Sequence, residues 1–401
     1  MRLPVLFILI TIMIDAMGIG LILPVMPALI QEVEGLGLTR AAVWGGILAT
    51  IFAVMQFMFG PLLGAISDRY GRRPVLLVAL AVMALDYILM ALAHTIWLLV
   101  IGRIIGGITA ATQSTAGAYM ADISAPQEKS ANFGLIGAAF GVGFVLGPLM
   151  GGVLAEYGTR APFYAAAFLA AANLIFGWFV LPETVTDRIR RPFSWRRANP
   201  VGAFRHIAAL PGVRRLLIVT FVYGVAFYVY PAIWAYFGQE RFGWGPGMVG
   251  LSLGMFGIGI AVVQGLLIRP IIAWLGDRGA VLAGLTMDVA AFVALGFVTN
   301  GWIALALTPL TALGSVAAPA LQGIMSRTAQ DNQQGELQGV LTSTQAVATI
   351  LAPLVMTQTF YAFTVPGAQI YMPGAPFLLA AVLTLGCLGL MLASSRQPRL
   401  P

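Results

Sequence analysis

The sequence predicts an all-α membrane protein: twelve transmembrane helices in two six-helix halves, with both termini cytoplasmic. Three observations predict it. Mean hydropathy is +0.91 and only 9% of the 401 residues are charged, against about 25% in soluble proteins, so lipid is the expected solvent. Twelve apolar stretches reach the roughly 20 residues that a spanning helix needs. Basic residues fall in alternate loops, as the positive-inside rule requires of an even number of spans.

The first stretch, 4–30, opens like a signal peptide, with Arg2 before an apolar run. That run is too long, contains Asp15 and lacks a small-x-small cleavage site, so it reads as a retained helix. The second, 43–66, carries Gln56. The third, 74–94, carries Leu85-Asp86-Tyr87, and the fourth, 96–121, carries Arg103 within Gly102 to Gly107. The fifth, 131–155, is rich in glycine, and the sixth is 161–182. A polar segment, 183–213, follows; it reads as a solvated linker whose basic residues face anionic lipid. The seventh stretch, 214–237, holds Tyr223, Phe227 and Tyr230. The eighth is 247–275, the ninth, 279–298, carries Asp288, and the tenth and eleventh are 301–326 and 335–363. The twelfth, 375–394, holds the lone cysteine, Cys387, a packing residue. The expected domains are therefore 1–182, the linker 183–213, and 214–401.

With the N-terminus in the cytoplasm, 18 of the 22 basic residues lie inside. Arg40, Arg160 and Arg241 fall outside and Arg103 in a span. A missed helix would reverse the second half of that tally. An internal repeat supports the division: Pro61, Asp68 and Arg69 recur 209 residues later as Pro270, Asp277 and Arg278. Two such halves around a central cavity fit a parallel-repeat transporter.

Asp15, Asp86 and Asp288 lie where ionisation is costly, at least a few kcal/mol near the bilayer centre. Each is either a site for protons or a cationic substrate, or a group tying helices together. Arg103 either bonds backbone within the bundle or is coupled to proton movement. Gln56, Gln113, Asn173, Gln264, Gln322 and Gln345 are neutral cavity or helix-contact candidates, and Asp122 is expected to cap or pair at the interface. There is no Walker pattern, so ATP is not the expected energy source. No nucleophile–base constellation or metal cluster stands out, so neither an enzyme, a bound cofactor nor a protein metal site is expected.

The run from Gly60 to Pro74, GPLLGAISDRYGRRP, resembles the loop signature of the major facilitator superfamily. That resemblance implies a gating loop at Gly64, Asp68, Arg69, Arg72 and Arg73, with Gly64 small enough for close helix approach. The fifth stretch, GAAFGVGFVLGPLMGG, resembles the superfamily's antiporter signature on Gly143, Gly147, Pro148, Gly151 and Gly152, with Gly137 and Gly141 preceding them.

The resemblance narrows with Asp15 to Leu21, Pro24 to Pro27, Leu85-Asp86-Tyr87, Arg241-Phe242-Gly243-Trp244, Pro319 to Gly323, and Gln334-Gly335 with Leu337-Gln338-Gly339. Over nearly the whole chain it is similar to the tetracycline/proton antiporters of the drug:proton antiporter group. This implies a major facilitator fold, a multi-pass bacterial inner-membrane location and a monomer. It also implies export of tetracycline as a metal–drug cation in exchange for protons, with no nucleic acid and no stored cofactor. A broader multidrug or metabolite antiporter is the alternative. The substrate and proton path would fall on Asp15, Asp86, Asp288, Arg103 and Gln56. Some members carry a histidine in the eighth span; here Gly257 to Gln264 reads GIGIAVVQ, which shifts proton coupling to the carboxylates and Arg103.

Overall fold

The structure is a computed structural model and describes residues 3–110, 113–125, 127–187, 190, 193, 199, 213–328 and 334–393. Among these there are sixteen α-helices and no strand. Eleven helical segments are long and apolar enough to cross a membrane. The longest, Pro246–Phe297, has 52 residues and would extend about 78 Å, more than twice the hydrocarbon thickness. It holds both the eighth and ninth expected spans, which accounts for the count of eleven against twelve. The division falls at Gly276, with φ 68 and ψ 168, a conformation open essentially to glycine alone.

The helices are α1 (Leu3–Ile22), α2 (Met26–Glu34), α3 (Leu38–Tyr70), α4 (Arg72–Ala91), α5 (Ile96–Ala110), α6 (Gln113–Ile123), α7 (Lys129–Leu154) and α8 (Ala161–Val180). There follow α9 (Arg214–Phe227), α10 (Val229–Phe242), α11 (Pro246–Val262), α12 (Ile268–Phe297), α13 (Gly301–Thr311), α14 (Ala317–Thr328), α15 (Gln334–Thr364) and α16 (Ala375–Ala393).

The first expected span is not one helix. α1 stops at Ile22 and α2 starts at Met26, because Pro24 has no N–H to continue the ladder and its ring clashes with the preceding turn. The seventh breaks at Tyr228, three residues before Pro231, which cannot donate to the Phe227 carbonyl. The tenth passes through a 3₁₀ turn, Ala312–Val316, between Pro309 and Pro319. A π turn, Val263–Leu267, joins α11 to α12.

Two compact units emerge. Unit 1 comprises Met1–Leu36, Ile51–Gly202 and Pro246–Gly254; unit 2 comprises Gly37–Thr50, Ala203–Gly245 and Met255–Pro401. Of the 183–213 segment, Arg188, Arg191, Arg196, Arg197, Arg205 and His206 lie outside the described residues, as do Arg2, Arg396 and Arg399.

In unit 1 the principal packing is α1 on α7. A Cβ on Gly143, Gly147 or Gly151 would press on the carbonyl oxygen of Met13, Met17 or Leu21 in turn. Both sets step by four residues, so a glycine row on α7 lies on a backbone row of α1, the small-residue packing that lipid-embedded helices favour. Gly152 faces Gly247 and Gly250 of α11, and Gly20 of α1 faces Pro148. Gly137 and Gly141 have open space where a Cβ would go, and so does Gly64. Close helix approach is therefore not what Gly64 provides, a correction to the sequence-based expectation. α8 is tied to α1 by Asn173 Nδ2, which donates to Thr11 Oγ1 at 2.9 Å.

In unit 2, α12 packs on α14 and α16, and α9 on α15 and α16. Its aromatic core surrounds Tyr230, whose ring centroid is 4.6 Å from Phe256, 5.5 Å from Phe227 and 5.6 Å from Phe292. Cys387 is buried here, its thiol 3.7 Å from the Val219 carbonyl oxygen. Gly243, at φ 67, ends α10 with N–H bonds from Gly243 to Gln239 O and from Trp244 to Gly238 O, both 3.1 Å. The Phe242-Gly243-Trp244 run is thus a helix stop with glycine in the αL conformation, and Trp244 packs on Gly238 and Gly301.

Replacing Gly276 by alanine should destabilise the protein by about 1–3 kcal/mol. Thermal unfolding of the purified protein in detergent would read this as a lowered midpoint, and an unchanged midpoint would contradict the argument.

Candidate functional site

Unit 1 gathers three of the expected path residues around Tyr87 on α4. The Tyr87 hydroxyl lies within the electrostatic reach of Asp15 on α1, Asp86 on α4 and Arg103 on α5. It also packs against Gly18 of α1, where any Cβ would strike the phenol oxygen. Asp86 is 3% exposed. Two glycines of α5 make room for it: a Cβ on Gly106 would come 2.8 Å from Asp86 Oδ2, and one on Gly102 3.1 Å from Oδ1. The GRIIGG run therefore places glycines where the carboxylate sits and Arg103 beside them.

Asp86 and Arg103 sense each other's charge, yet Asp86 Oδ1 and Arg103 Nε are buried without hydrogen-bond partners among the described residues. The Arg103 guanidinium stands over the Phe52 ring at 5.6 Å, a cation–π contact. A fully satisfied ion pair would be a structural tie. A buried carboxylate and guanidinium with spare valences are costly to retain, and perturbed ionisable groups of this kind concentrate at functional sites. Asp15 is half-buried on α1, and Gln56 is half-buried on α3.

In unit 2 Asp288 has no exposed surface. Its Oδ2 accepts a 2.8 Å hydrogen bond from Tyr223 Oη, while Oδ1 has no partner among the described residues. The same hydroxyl is 3.4 Å from the Gly314 carbonyl oxygen. Gly314 sits in the 3₁₀ turn between α13 and α14, and a Cβ there would overlap the carboxylate. The turn is what creates the space. Tyr223, one of three aromatic residues noted in the seventh stretch, is the hydrogen-bond partner of Asp288. Phe227 and Tyr230 are occupied by each other and by neighbouring rings.

The remaining neutral candidates separate. Asn173 is a helix tie, Gln322 Nε2 is 3.3 Å from Gln338 Oε1, and Gln264 and Gln345 are exposed. The side chain of Gln113 lies outside the described residues.

The basic loop forms a connected network. Arg72 pairs with Asp68 and with Asp122, each at 2.9 Å. Its Nη1 also donates to Ser67 Oγ at 2.9 Å, and Thr184 Oγ1 donates to Asp122 Oδ2 at 3.0 Å. Arg73 donates to the Trp178 carbonyl at 3.0 Å and lies 5.4 Å over its ring. Arg69 lies over Tyr70 at 5.1 Å. Glu183, the first residue of the 183–213 segment, belongs to this network although it was not among the residues expected there. Its carboxylate accepts the backbone N–H groups of Arg72 at 2.9 Å and Arg73 at 3.2 Å, and those of Thr184 and Val185 at 2.8 and 2.9 Å. It caps the positive end of α4 from 111 residues away in sequence, so no local pattern could reveal it.

The repeat of this loop in unit 2 carries charge of the opposite sense. Asp277 pairs with Arg327 of α14 at 2.5 Å, and Arg278 Nη2 donates to the Met391 carbonyl at 2.6 Å. In unit 1 the loop supplies the arginine and α6 the carboxylate; in unit 2 the loop supplies the carboxylate and α14 the arginine. Among the described residues no three His, Cys, Asp or Glu side chains are grouped to hold a metal ion.

Residues 8–353 match the Major Facilitator Superfamily. The class C tetracycline resistance protein of Escherichia coli is 40% identical over 94% of this chain and 93% of its own. The chain belongs to the major facilitator superfamily, in the tetracycline-resistance family. The class G tetracycline resistance protein of Vibrio anguillarum is 38% identical over 94% of both chains. Among solved structures, the human organic anion transporter MFSD10 aligns with a TM-score of 0.70 and 26% identity, over 97% of this chain and 99% of that one. The protein is thus a multi-pass membrane transporter and not an enzyme.

Glu183→Ala should remove the cap on α4 and lower stability by about 1 kcal/mol. Glu183→Gln, which keeps an acceptor without the charge, should retain part of it. Paired thermal unfolding of the two variants checks this; equal midpoints for both and for the unaltered protein would count against the cap.

Proposed function

We propose that the protein is a proton-coupled antiporter exporting tetracycline, as a metal–drug cation, from the cytoplasm across the bacterial inner membrane. Both termini would be cytoplasmic, and a monomer would suffice. The observation that carries this reading is Asp288: a wholly buried carboxylate with one unpartnered oxygen, in a chain 40% identical to a tetracycline resistance protein.

In this reading Asp15, Asp86 and Asp288 hold either a proton or the cationic substrate. A carboxylate away from water is stable when neutralised by one or the other, and binds both together poorly. Such competition is the thermodynamic basis of exchange. Arg103 lies beside Asp86, so protonating that carboxylate frees the guanidinium to reorient. Gln56 supplies a neutral hydrogen-bonding group. An inside-negative potential contributes about 2.3 kcal/mol per charge per 100 mV, so exchanging more protons than substrate charges drives export.

The basic loop around Asp68, Arg69, Arg72 and Arg73 acts as a gate on the cytoplasmic side, its ion pairs breaking and re-forming in each cycle. The glycine row Gly143, Gly147 and Gly151, with Pro148 and Gly152, holds α7 close to α1 and limits leak. The halves 1–182 and 214–401 are the moving parts, joined by 183–213.

A second reading has a specific observation in its favour. The 257–264 stretch lacks a histidine, and the similar human transporter is described as carrying organic anions. A broader multidrug or metabolite antiporter of the same fold would fit both.

Everted membrane vesicles with an acidified interior discriminate. Tetracycline with a divalent metal should release protons, and Asp288→Asn should abolish that release. Tyr223→Phe, which removes one hydrogen bond of about 1 kcal/mol, should weaken exchange about fivefold. A response to other drugs but not to tetracycline would favour the second reading. Exchange that persists in Asp288→Asn would remove that residue from the path.

A further inference from the structure

Unit 2 contains a cavity of about 980 Å³ at the end of the bundle that carries Asp277 and Arg327. Four guanidiniums line it, Arg214, Arg215, Arg278 and Arg327, against the single carboxylate of Asp277. Arg327 is committed to Asp277, and Arg278 donates to the Met391 carbonyl. Arg214 and Arg215 make no hydrogen bond or ion pair among the described residues. They are exposed at the start of α9, whose free N–H groups add positive potential.

The chain itself is poorly supplied with anions to meet them. No Asp or Glu occurs between positions 188 and 239 or between 337 and 401. The linker entering α9 and the segment leaving α16 therefore bring no carboxylate side chain. The walls below the rim are apolar: Leu216, Ile218, Leu275, Ile324 and Leu390. Three of these are outward-facing, Ile218 at 47% exposed, Leu275 at 39% and Leu390 at 37%. A basic rim with apolar walls, three of whose side chains are exposed, has the two-part chemistry that suits an amphiphile with an anionic head. Guanidiniums match phosphate oxygens in geometry as well as charge, and basic pockets of this kind between transmembrane helices suit anionic headgroups.

We propose that this cavity binds the phosphate headgroup of an anionic phospholipid, with Arg214 and Arg215 as its principal contacts and the lipid's chain against Ile218, Leu275 and Leu390. The site is separate from the buried carboxylates and does not depend on which substrate is carried.

The test uses the full chain, purified and delipidated in detergent, with its thermal midpoint followed as phosphatidylglycerol, phosphatidylcholine or inorganic phosphate is titrated in. Phosphatidylglycerol should raise the midpoint saturably, and more so at low ionic strength. Phosphatidylcholine and inorganic phosphate at equal concentration should not. Arg214→Gln/Arg215→Gln should shift the phosphatidylglycerol titration by about thirtyfold, and native mass spectrometry should show fewer retained lipids. Arg40→Gln/Arg269→Gln removes two exposed charges that do not line the cavity and should titrate as the unaltered protein does. If the first double variant does not fold, each single substitution should weaken binding about fivefold. An equal response to phosphatidylcholine, an equal response to inorganic phosphate, or an unshifted titration in the Arg214 and Arg215 variants would each overturn the proposal.

Discussion

Ionising a carboxylate among apolar side chains requires about 2.5–3.5 kcal/mol on the most lenient insertion scales, and much of this protein's architecture is arranged around three places where that penalty is met. Each is met by different local means. Asp86 has the space left by Gly102 and Gly106 and the field of Arg103. Asp288 has the hydroxyl of Tyr223 and the space left by Gly314. Asp15 has the neighbouring Tyr87, itself admitted by Gly18. In all three cases glycine is the enabling residue, because a side chain would occupy the volume that a polar group requires. Neither Asp86 nor Asp288 has both carboxylate oxygens satisfied among the described residues.

The loops at the basic end follow a different logic. There, Arg72, Asp68 and Asp122 are only partly exposed and share one guanidinium. Their value is in connection. Arg72 alone joins Asp68, Ser67 and Asp122 through its side chain and Glu183 through its backbone. A group that makes many weak contacts can release them together when the helices carrying them shift. The sister loop has fewer links and opposite polarity, so the two halves, although related by a repeat, hold their basic ends by unlike means.

Much of this could be read in the sequence. The apolar stretches, the 209-residue offset between Asp68 and Asp277, and the three aspartates at depth are local or periodic signals. Proline explains the breaks after Ile22 and at Tyr228, and their positions could have been inferred from Pro24 and Pro231. The contacts that define the sites could not. Glu183 reaches Arg72 across 111 positions, and Tyr223 reaches Asp288 across 65. The glycines beside Asp86 and Asp288 make room for side chains of other helices, which their own neighbours in the chain do not reveal. Gly64 was misjudged for the same reason, since only its surroundings could reveal the open space beside it. Long-range complementarity of this kind leaves no period and no motif in one chain.

The lone cysteine has a practical consequence. Cys387 is wholly buried with its sulfur turned to the Val219 carbonyl, so a thiol-reactive label in solution would find no accessible native target. Reporter thiols introduced one at a time could be modified selectively without first removing Cys387, and the packing around α16 would stay as it is. Spectroscopic distances between such labels could then follow the loops and helix ends through a transport cycle in an otherwise unaltered chain.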